Sequence, residues 1–165
     1  MELNIRKSIV YLLLFILFST PLYATDERYK FLINYHDGRT IYIDQNTLKH
    51  EVAEDQELDY YNFWIKIEYS KKALDNLIKT RKAQKLPIKD YASLKCTLEH
   101  RIYTSEDKYC IIEKMDYSND GTILEKTRYH KKKWILFKVE SLDFIIFFHA
   151  KIQASELEIL RDMKK

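Results

Sequence analysis

The chain contains few of the residues that interrupt or crosslink a fold: two glycines, two prolines and two cysteines among 165 residues. Dinucleotide-binding and P-loop motifs place several glycines close together, so two glycines exclude a glycine-rich phosphate cradle. The scarcity of glycine and proline, with 46% hydrophobic residues, also excludes a low-complexity or disordered chain. Length and composition therefore indicate one compact domain.

Acidic and basic residues nearly balance. The chain has 28 Lys and Arg against 25 Asp and Glu, a formal net charge of +3. Such a small excess does not support binding to nucleic acid. We expect no nucleic-acid partner.

The first 24 residues have the three parts of a secretory signal peptide. Arg6 and Lys7 form a basic start, residues 9–18 form an apolar run, and residues 19–24 end in the small residue Ala24. The apolar run is about half of the roughly 20 residues that a spanning helix needs, which disfavours a membrane anchor. We therefore predict a signal peptide over 1–24 and a single exported domain over 25–165. That domain would have no transmembrane segment after cleavage and would reside in the periplasm or on the outer cell surface.

Alternating apolar and polar residues predict an antiparallel sheet. Residues 29–35 and 39–44 are rich in β-branched and aromatic side chains and flank a tight Asp-Gly turn, which predicts a hairpin. Residues 61–69 alternate with a period of two and form the clearest strand. Further strands are predicted over 91–104, 108–117, 122–129 and 134–139.

Two segments have helical spacing. Apolar residues recur every three to four positions over 71–85, before Pro87 ends the pattern. Ser141 could cap a helix over 142–153, although the β-prone residues 144–148 leave a strand as the alternative. A short helix over 155–163 would begin with Ser155 as its N-cap. The predicted fold class is α+β: an antiparallel β-sheet of about six to seven strands, one middle helix and a C-terminal helix.

The two cysteines, Cys96 and Cys110, raise the question of a disulfide in an exported chain. If a two-residue turn joins the strands that carry them, Tyr103 faces Cys110 and Cys96 faces Tyr117. The cysteines would then lie about 23 Å apart along the strands, much farther than a disulfide allows. Either this strand pairing is wrong or the two cysteines do not bond to each other, and the sequence disfavours the disulfide.

No pattern of catalytic or metal-binding residues is present. The five histidines are scattered without an H-E-x-x-H or C-x-x-C spacing, and there is no G-x-S-x-G sequence. Adjacent residues such as Glu99 and His100 point to opposite faces of a strand, so they do not form an acid–base pair. We expect a protein without catalytic residues, metal or cofactor.

The predicted middle helix is the most basic segment of the chain. With Lys89 it holds seven basic residues against the single acid Asp75. It could form a cationic patch, extended by residues 131–133, for anionic glycans, lipid headgroups or acidic matrix proteins. The alternative is a solvated helix face balanced by the acidic stretch over 51–59. The candidate partner-binding residues are Lys71, Lys72, Lys79, Arg81, Lys82 and Lys85.

Several short motifs occur in a recognisable order. They are Ile-Tyr-Ile-Asp at 41–44, Phe-Trp-Ile-Lys at 63–66, Tyr-Ala-Ser-Leu-Lys-Cys at 91–96 and Tyr-Ser-Asn-Asp-Gly-Thr-Ile at 117–123, followed by Trp134. This order resembles the surface-adhesin protein E-like domain family of Gram-negative bacteria. The resemblance implies a small exported domain with an antiparallel sheet packed by helix and, for the family's namesake, an adhesin that binds host extracellular matrix proteins. No ligand-binding residue of the namesake can be matched.

The leading hypothesis is an exported, non-enzymatic domain of this adhesin class that binds a protein or glycan partner, such as an extracellular matrix protein or an anionic glycan. The alternative is a periplasmic, envelope-associated structural protein without a host ligand. The sequence carries no indication of oligomeric state.

Overall fold

An open antiparallel sheet forms the frame of the domain in the computed structural model, which describes residues 28–53 and 58–163. The predicted signal peptide lies outside the described residues. Within them the chain forms eight strands and two α-helices, so the predicted α+β class is confirmed. The strands are β1 (Tyr29–Asn34), β2 (Arg39–Asp44), β3 (Lys49–Val52), β4 (Asp59–Tyr69), β5 (Leu94–Thr104), β6 (Lys108–Ser118), β7 (Ile123–Arg128) and β8 (Ile135–Leu136); the helices are α1 (Lys71–Ala83) and α2 (Leu142–Asp162).

The strand order is β1-β2-β4-β5-β6-β7, with β3 beside β4 and β8 beside β6. β4 has 11 residues and pairs on one side first with β3 and then with β2, which a 3₁₀ turn at Gln45–Thr47 separates. β6 pairs in the same way, first with β8 and then with β7. The eight described strands therefore occupy six sheet positions.

One face of the sheet carries the apolar core. Alternation along β4 places Phe63, Ile65 and Ile67 on this face, and each is at most 2% exposed. α2 packs against it through Ile146 and Ala150, which are fully buried. The hydrophobic effect therefore fixes which side of the sheet α2 occupies.

α2 is one continuous helix. Ser141 Oγ accepts a hydrogen bond from the Phe144 amide at 3.2 Å, so the predicted N-cap is confirmed and the strand alternative over 144–148 is wrong. The predicted second helix start at Ser155 is also wrong. The Ser155 hydroxyl donates to the Lys151 carbonyl at 3.1 Å, an arrangement that holds a serine inside a helix. No glycine or proline interrupts the segment, so the helix continues to Asp162.

The turn between β5 and β6 is one residue longer than predicted. Thr104 pairs with Lys108, which leaves three turn residues, and Asp107 adopts a left-handed φ of 57°. As a result Cys110 faces Ile102, and the predicted pairing of Cys110 with Tyr103 is wrong.

A bulge opposite β5 restores the expected register farther from this turn. His100 pairs with Glu113 and Arg101 pairs with Ile111, which skips one β6 residue. Cys96 therefore does face Tyr117, as predicted. Cys96 and Cys110 lie near opposite ends of the strand pair, and both are buried and free.

The turn of the β1–β2 hairpin contacts the start of α1 at a glycine. Gly38 has a φ of +91°, and its carbonyl accepts a hydrogen bond from the Ser70 amide at 2.8 Å. Ser70 Oγ caps α1 by accepting from the Ala73 amide at 3.3 Å. A Cβ at position 38 would lie 2.2 Å from that Oγ, so the turn and the cap fit together only without a side chain.

We expect Gly38→Ala to lower the free energy of unfolding by at least about 2 kcal/mol. About half of this loss arises from the left-handed backbone and the rest from displacement of the Ser70 cap. Gly121→Ala is the matched control, because Gly121 has a φ of +85° but no atom within 4 Å of an added Cβ. That control is expected to lose only about 1 kcal/mol in the same urea titration. Equal losses in the two variants would contradict the role of the Ser70 contact.

Candidate functional site

The outer side of α1 carries a row of exposed lysines. Lys71, Lys72, Lys79 and Lys82 are all exposed and, at 100° per residue, lie within about 100° of one another around the helix. We call these four residues the lysine face. Asp75, the only acidic residue of α1, lies among them. Lys85 and Lys89 follow the helix and are also exposed.

Arg81 does not belong to this surface, which corrects its assignment to the candidate patch. It is 5% exposed, and its Nη2 lies 2.6 Å from Glu125 Oε2. Its Nε donates to the Pro87 carbonyl at 2.9 Å, and its guanidinium lies 4.0 Å from the centre of the Tyr91 ring. The helical spacing of Ala73, Leu77 and Arg81 places all three on the inner side, a signal that the sequence contained.

A buried polar network holds α1 against the sheet. The Tyr91 hydroxyl lies 2.6 Å from both Asp116 Oδ2 and Glu125 Oε2. Asp116 is 1% exposed and also accepts from the Thr97 hydroxyl at 2.6 Å. The hydrogen bond from Tyr91 and the Arg81 guanidinium lower the pKa of Glu125, whereas burial beside Asp116 raises the pKa of Tyr91. With its polar atoms paired, the network anchors the inner side of α1 and leaves the lysine face outward.

The acidic stretch over 51–59 is remote from the lysine face in its described part. Glu51 lies on β3 and Asp59 begins β4, whereas α1 follows the other end of β4 at Tyr69. Ten residues of strand separate Asp59 from Tyr69, about 33 Å. Residues 54–57 lie outside the described residues. The described acids of this stretch therefore do not balance the charge of α1.

The basic residues 131–133 are also separated from α1. Lys132 acts electrostatically on Cys110, whereas Arg81 reaches Glu125, which pairs with Asp116 farther along β6. Cys110 and Asp116 are six residues apart on that strand, about 20 Å. The structure does not bring residues 131–133 together with the lysine face.

A cavity of about 410 Å³ lies between α1 and the sheet. The charged groups on its wall already have partners: Arg39 pairs with Asp37 at 2.7 Å, Lys114 lies 3.6 Å from Asp116, and Glu99 binds a buried arginine. These pairs leave no unmatched charge on the wall that would select a ligand. The residues lining the cavity are Asp37, Arg39, Ile67, Tyr69, Ala73, Asn76, Leu77, Thr80, Glu99 and Lys114.

Arg101, the arginine that binds Glu99, joins β5 to the start of α2. It is 5% exposed, and its Nη1 donates to Tyr103 Oη at 2.8 Å and to Asp143 Oδ1 at 2.6 Å. Its Nε donates to Glu99 Oε2 at 2.8 Å. Asp143 lies in the first turn of α2, where the helix dipole also stabilises its negative charge. Such a paired charge is costly to break, so the cluster positions α2 on the sheet.

His50 joins the C-terminal part of α2 to the sheet through two carboxylates, an arrangement we call the His50 clasp. Its Nδ1 lies 2.7 Å from Glu158 Oε1 and its Nε2 lies 3.1 Å from Asp59 Oδ1, while the ring stacks on Tyr61. Partial burial alone would lower the pKa of His50, but the two carboxylates outweigh it and raise that pKa. The histidine thus links β3, β4 and α2 in its charged form.

The two cysteine thiols and His100 are the other groups with possible chemical reactivity, and burial shifts the pKa of each. Burial raises the pKa of the Cys96 and Cys110 thiols, which keeps them protonated and weakly nucleophilic at neutral pH. His100 stacks on Trp64, and burial lowers its pKa. Within residues 28–53 and 58–163, no group of three or more His, Cys, Asp and Glu could hold a metal ion.

Comparison with known proteins found no relative. No family model matches the chain, and neither the curated proteins nor the solved structures gave a match. In the described part of the chain, neither helix is both long and apolar enough to cross a membrane. The resemblance to surface-adhesin protein E-like domains stays a prediction from sequence motifs.

The His50 clasp predicts a pH-dependent stability. Because the folded state raises the pKa of His50 above 6.5, its stabilisation is present below the unfolded pKa and is lost as pH rises through the folded pKa. The free energy of unfolding of the protein should exceed that of His50→Gln by up to about 1 kcal/mol near pH 5.5 and by less near pH 9.

His100→Gln provides the control for this measurement. Burial lowers the pKa of His100, so its contribution should be present at high pH and lost as pH falls. Denaturant titrations of both variants across this pH range should therefore show opposite trends. A difference between the protein and His50→Gln that does not change with pH would contradict the clasp.

Proposed function

We propose that the chain is an exported, non-enzymatic binding domain that contacts an anionic glycan or an acidic protein through the lysine face of α1. The observation that carries the proposal is the lack of ion pairs at these lysines, although Asp75 lies among them. None of the four lysines forms an ion pair with any residue in the described part of the chain. An anionic partner would supply the missing counter-charge.

Helix stability favours Lys82, which lies in the last turn of α1, but does not explain the position of Lys71 and Lys72. Lys71 and Lys72 occupy the first turn of α1, where the helix dipole disfavours positive charge by about 0.3–1 kcal/mol per residue. The first turn also contains no acidic residue. Sites that break a local stability rule without structural compensation are candidates for function.

The attachment of α1 supports a binding role. The Arg81 and Tyr91 contacts fix the inner side of the helix, so the backbone that carries the lysine face keeps one orientation and need not be ordered on binding. α1 is 13 residues long, so the lysine face extends for about 17 Å, a length that suits a polymer with repeated negative charges. The export part of the proposal rests on residues 1–24 and on the resemblance to surface-adhesin protein E-like domains.

Replacing all four lysines of the lysine face with glutamine should weaken binding to heparin, a sulfated glycan, at least about tenfold at low salt. Glutamine keeps helix propensity close to that of lysine, so the fold should be unaffected. The dependence of affinity on salt should also become flatter, because fewer counterions are released.

The matched control removes four lysines elsewhere: Lys131, Lys132, Lys133 and Lys138, all exposed, are also changed to glutamine. This variant has the same net charge but should keep most of the affinity. Equal weakening in both variants would indicate attraction to net charge alone. Undiminished binding in the α1 variant would remove the lysine face from the mechanism.

Location separates the adhesin proposal from the alternative of a periplasmic structural protein. We expect antibodies and added protease to reach the protein on intact cells. Signal only after the outer membrane is permeabilised would favour the periplasmic alternative, and recovery in the cytosol alone would contradict export. A cytosolic protein in the same cells serves as the control for lysis.

A further inference from the structure

The C-terminal helix α2 is apolar on two opposite sides. Its inner side packs on the sheet, yet a second row of apolar residues faces outward: Phe148, Ile152, Ile159 and Met163, which are 52%, 42%, 61% and 79% exposed. We call this row the outer stripe. A surface helix of a globular domain normally has one apolar side, so the outer stripe is a candidate surface for a partner.

We propose that the outer stripe binds a second copy of this chain, with the two α2 helices antiparallel around a two-fold axis near Ser155. In such a pair, residues whose numbers sum to 310 lie at the same height along the axis. Ile152 then lies within about 1.5 Å in height of Ile159 of the second copy, and symmetry repeats this contact. The stripe is therefore complementary to itself.

The charges on one edge of the outer stripe fit the same arrangement. Lys151 and Glu158 lie seven residues apart on one edge of the stripe, and antiparallel pairing brings each to the other's level in the second copy, again within about 1.5 Å. Lys151 forms no ion pair with a described residue. Glu158 binds His50 through Oε1 and is half exposed. The two-fold pair would thus gain two ion pairs.

Ser155 suits the position at the axis. It is exposed, it is small enough for the helices to approach within the usual 8–10 Å, and its hydroxyl is satisfied by the Lys151 carbonyl. A lipid surface is a poorer match for the stripe, because Glu156 and Glu158 flank it and anionic headgroups would repel them.

Crosslinking at the axis tests the arrangement directly. Ser155→Cys, expressed from the full chain and purified as the cell processes it, should form a disulfide-linked dimer under mild oxidation. Cys96 and Cys110 are buried and should not react. Ala83→Cys, at an exposed position of α1, is the control and should stay largely uncrosslinked. Equal crosslinking at both positions would indicate random collision and overturn the proposal.

Sedimentation equilibrium tests whether the stripe drives association. We expect the unaltered protein to be dimeric at micromolar concentration and the variant Ile152→Lys with Ile159→Lys to dissociate at least about tenfold more readily. The control variant, Leu136→Lys with Val139→Lys, alters residues that are 70% and 69% exposed elsewhere and should remain dimeric. A monomeric unaltered protein at about 100 µM would overturn the proposal, as would vesicle binding that requires the stripe in a monomer.

Charge changes at the edge of the outer stripe distinguish antiparallel pairing from nonspecific hydrophobic association. Lys151→Glu should weaken the dimer about tenfold, because like charges would then meet. Adding Glu158→Gln removes that repulsion while its amide oxygen still accepts a hydrogen bond from His50, so part of the loss should be recovered, and circular dichroism would check that both variants fold. Failure of this rescue would overturn the antiparallel register. The lysine-to-glutamine variant of α1 should dimerise normally, so this result is separable from the proposed function.

Discussion

The apolar side of β4 is the constraint on which the rest of the structure depends. The buried apolar residues Phe63, Ile65 and Ile67 all lie on one face of β4. The same strand pairs with β2, β3 and β5. The opposite side carries polar and half-buried groups such as Lys66 and Glu68, which form an ion pair at 2.7 Å. This row requires α2 to cover the same face of the sheet. α1 lies over that face as well, beside the cavity that Ile67 helps to line.

The two helices are attached by different chemistry. α2 buries Ile146, Phe147 and Ala150 in the core, so hydrophobic burial supplies most of its attachment. α1 places only Ala73 and Arg81 in buried positions, and a cavity of mixed polar and apolar lining lies between the helix and the sheet. Its attachment depends on hydrogen bonds and an ion pair, which fix direction more than they add stability. A helix held this way is well suited to display charged groups in one orientation.

Local patterns made much of this fold predictable. The period-two alternation of β4, the Asp-Gly turn and the Ser141 cap each depend on residues close together in the chain. The three-residue turn at Asp107 and the bulge in β6 were missed, because they depend on how the twisted strands of the hairpin match each other. The continuity of α2 through Ser155 was missed for another reason: serine is favoured at caps, but inside a helix its hydroxyl can bond to a carbonyl of the preceding turn.

The candidate site was predicted only in part. The exposed lysines of α1 follow from helical periodicity, and the same periodicity indicated that Arg81 faces inward with Ala73 and Leu77. The positive charge of Arg81 suggested the exposed side of α1, and this assignment was wrong. A buried arginine needs a partner, and the local sequence does not reveal it. That partner, Glu125, is 44 residues away. Buried ion pairs between distant strands and helices are invisible to periodicity, since only the folded sheet brings them together.

The proposed dimer bears on how a surface of four lysines could bind strongly. Single exposed ion pairs contribute about 0–1 kcal/mol each in water, so one lysine face provides modest affinity that salt weakens further. Two copies joined through α2 would carry two lysine faces at a fixed separation. A long polyanion that contacts one face would then meet the second at high effective concentration, which can raise avidity about a hundredfold or more without any new contact. The same gain is lost when the geometry forbids simultaneous contact, so the orientation set by Arg81 and Tyr91 matters as much as the number of charges.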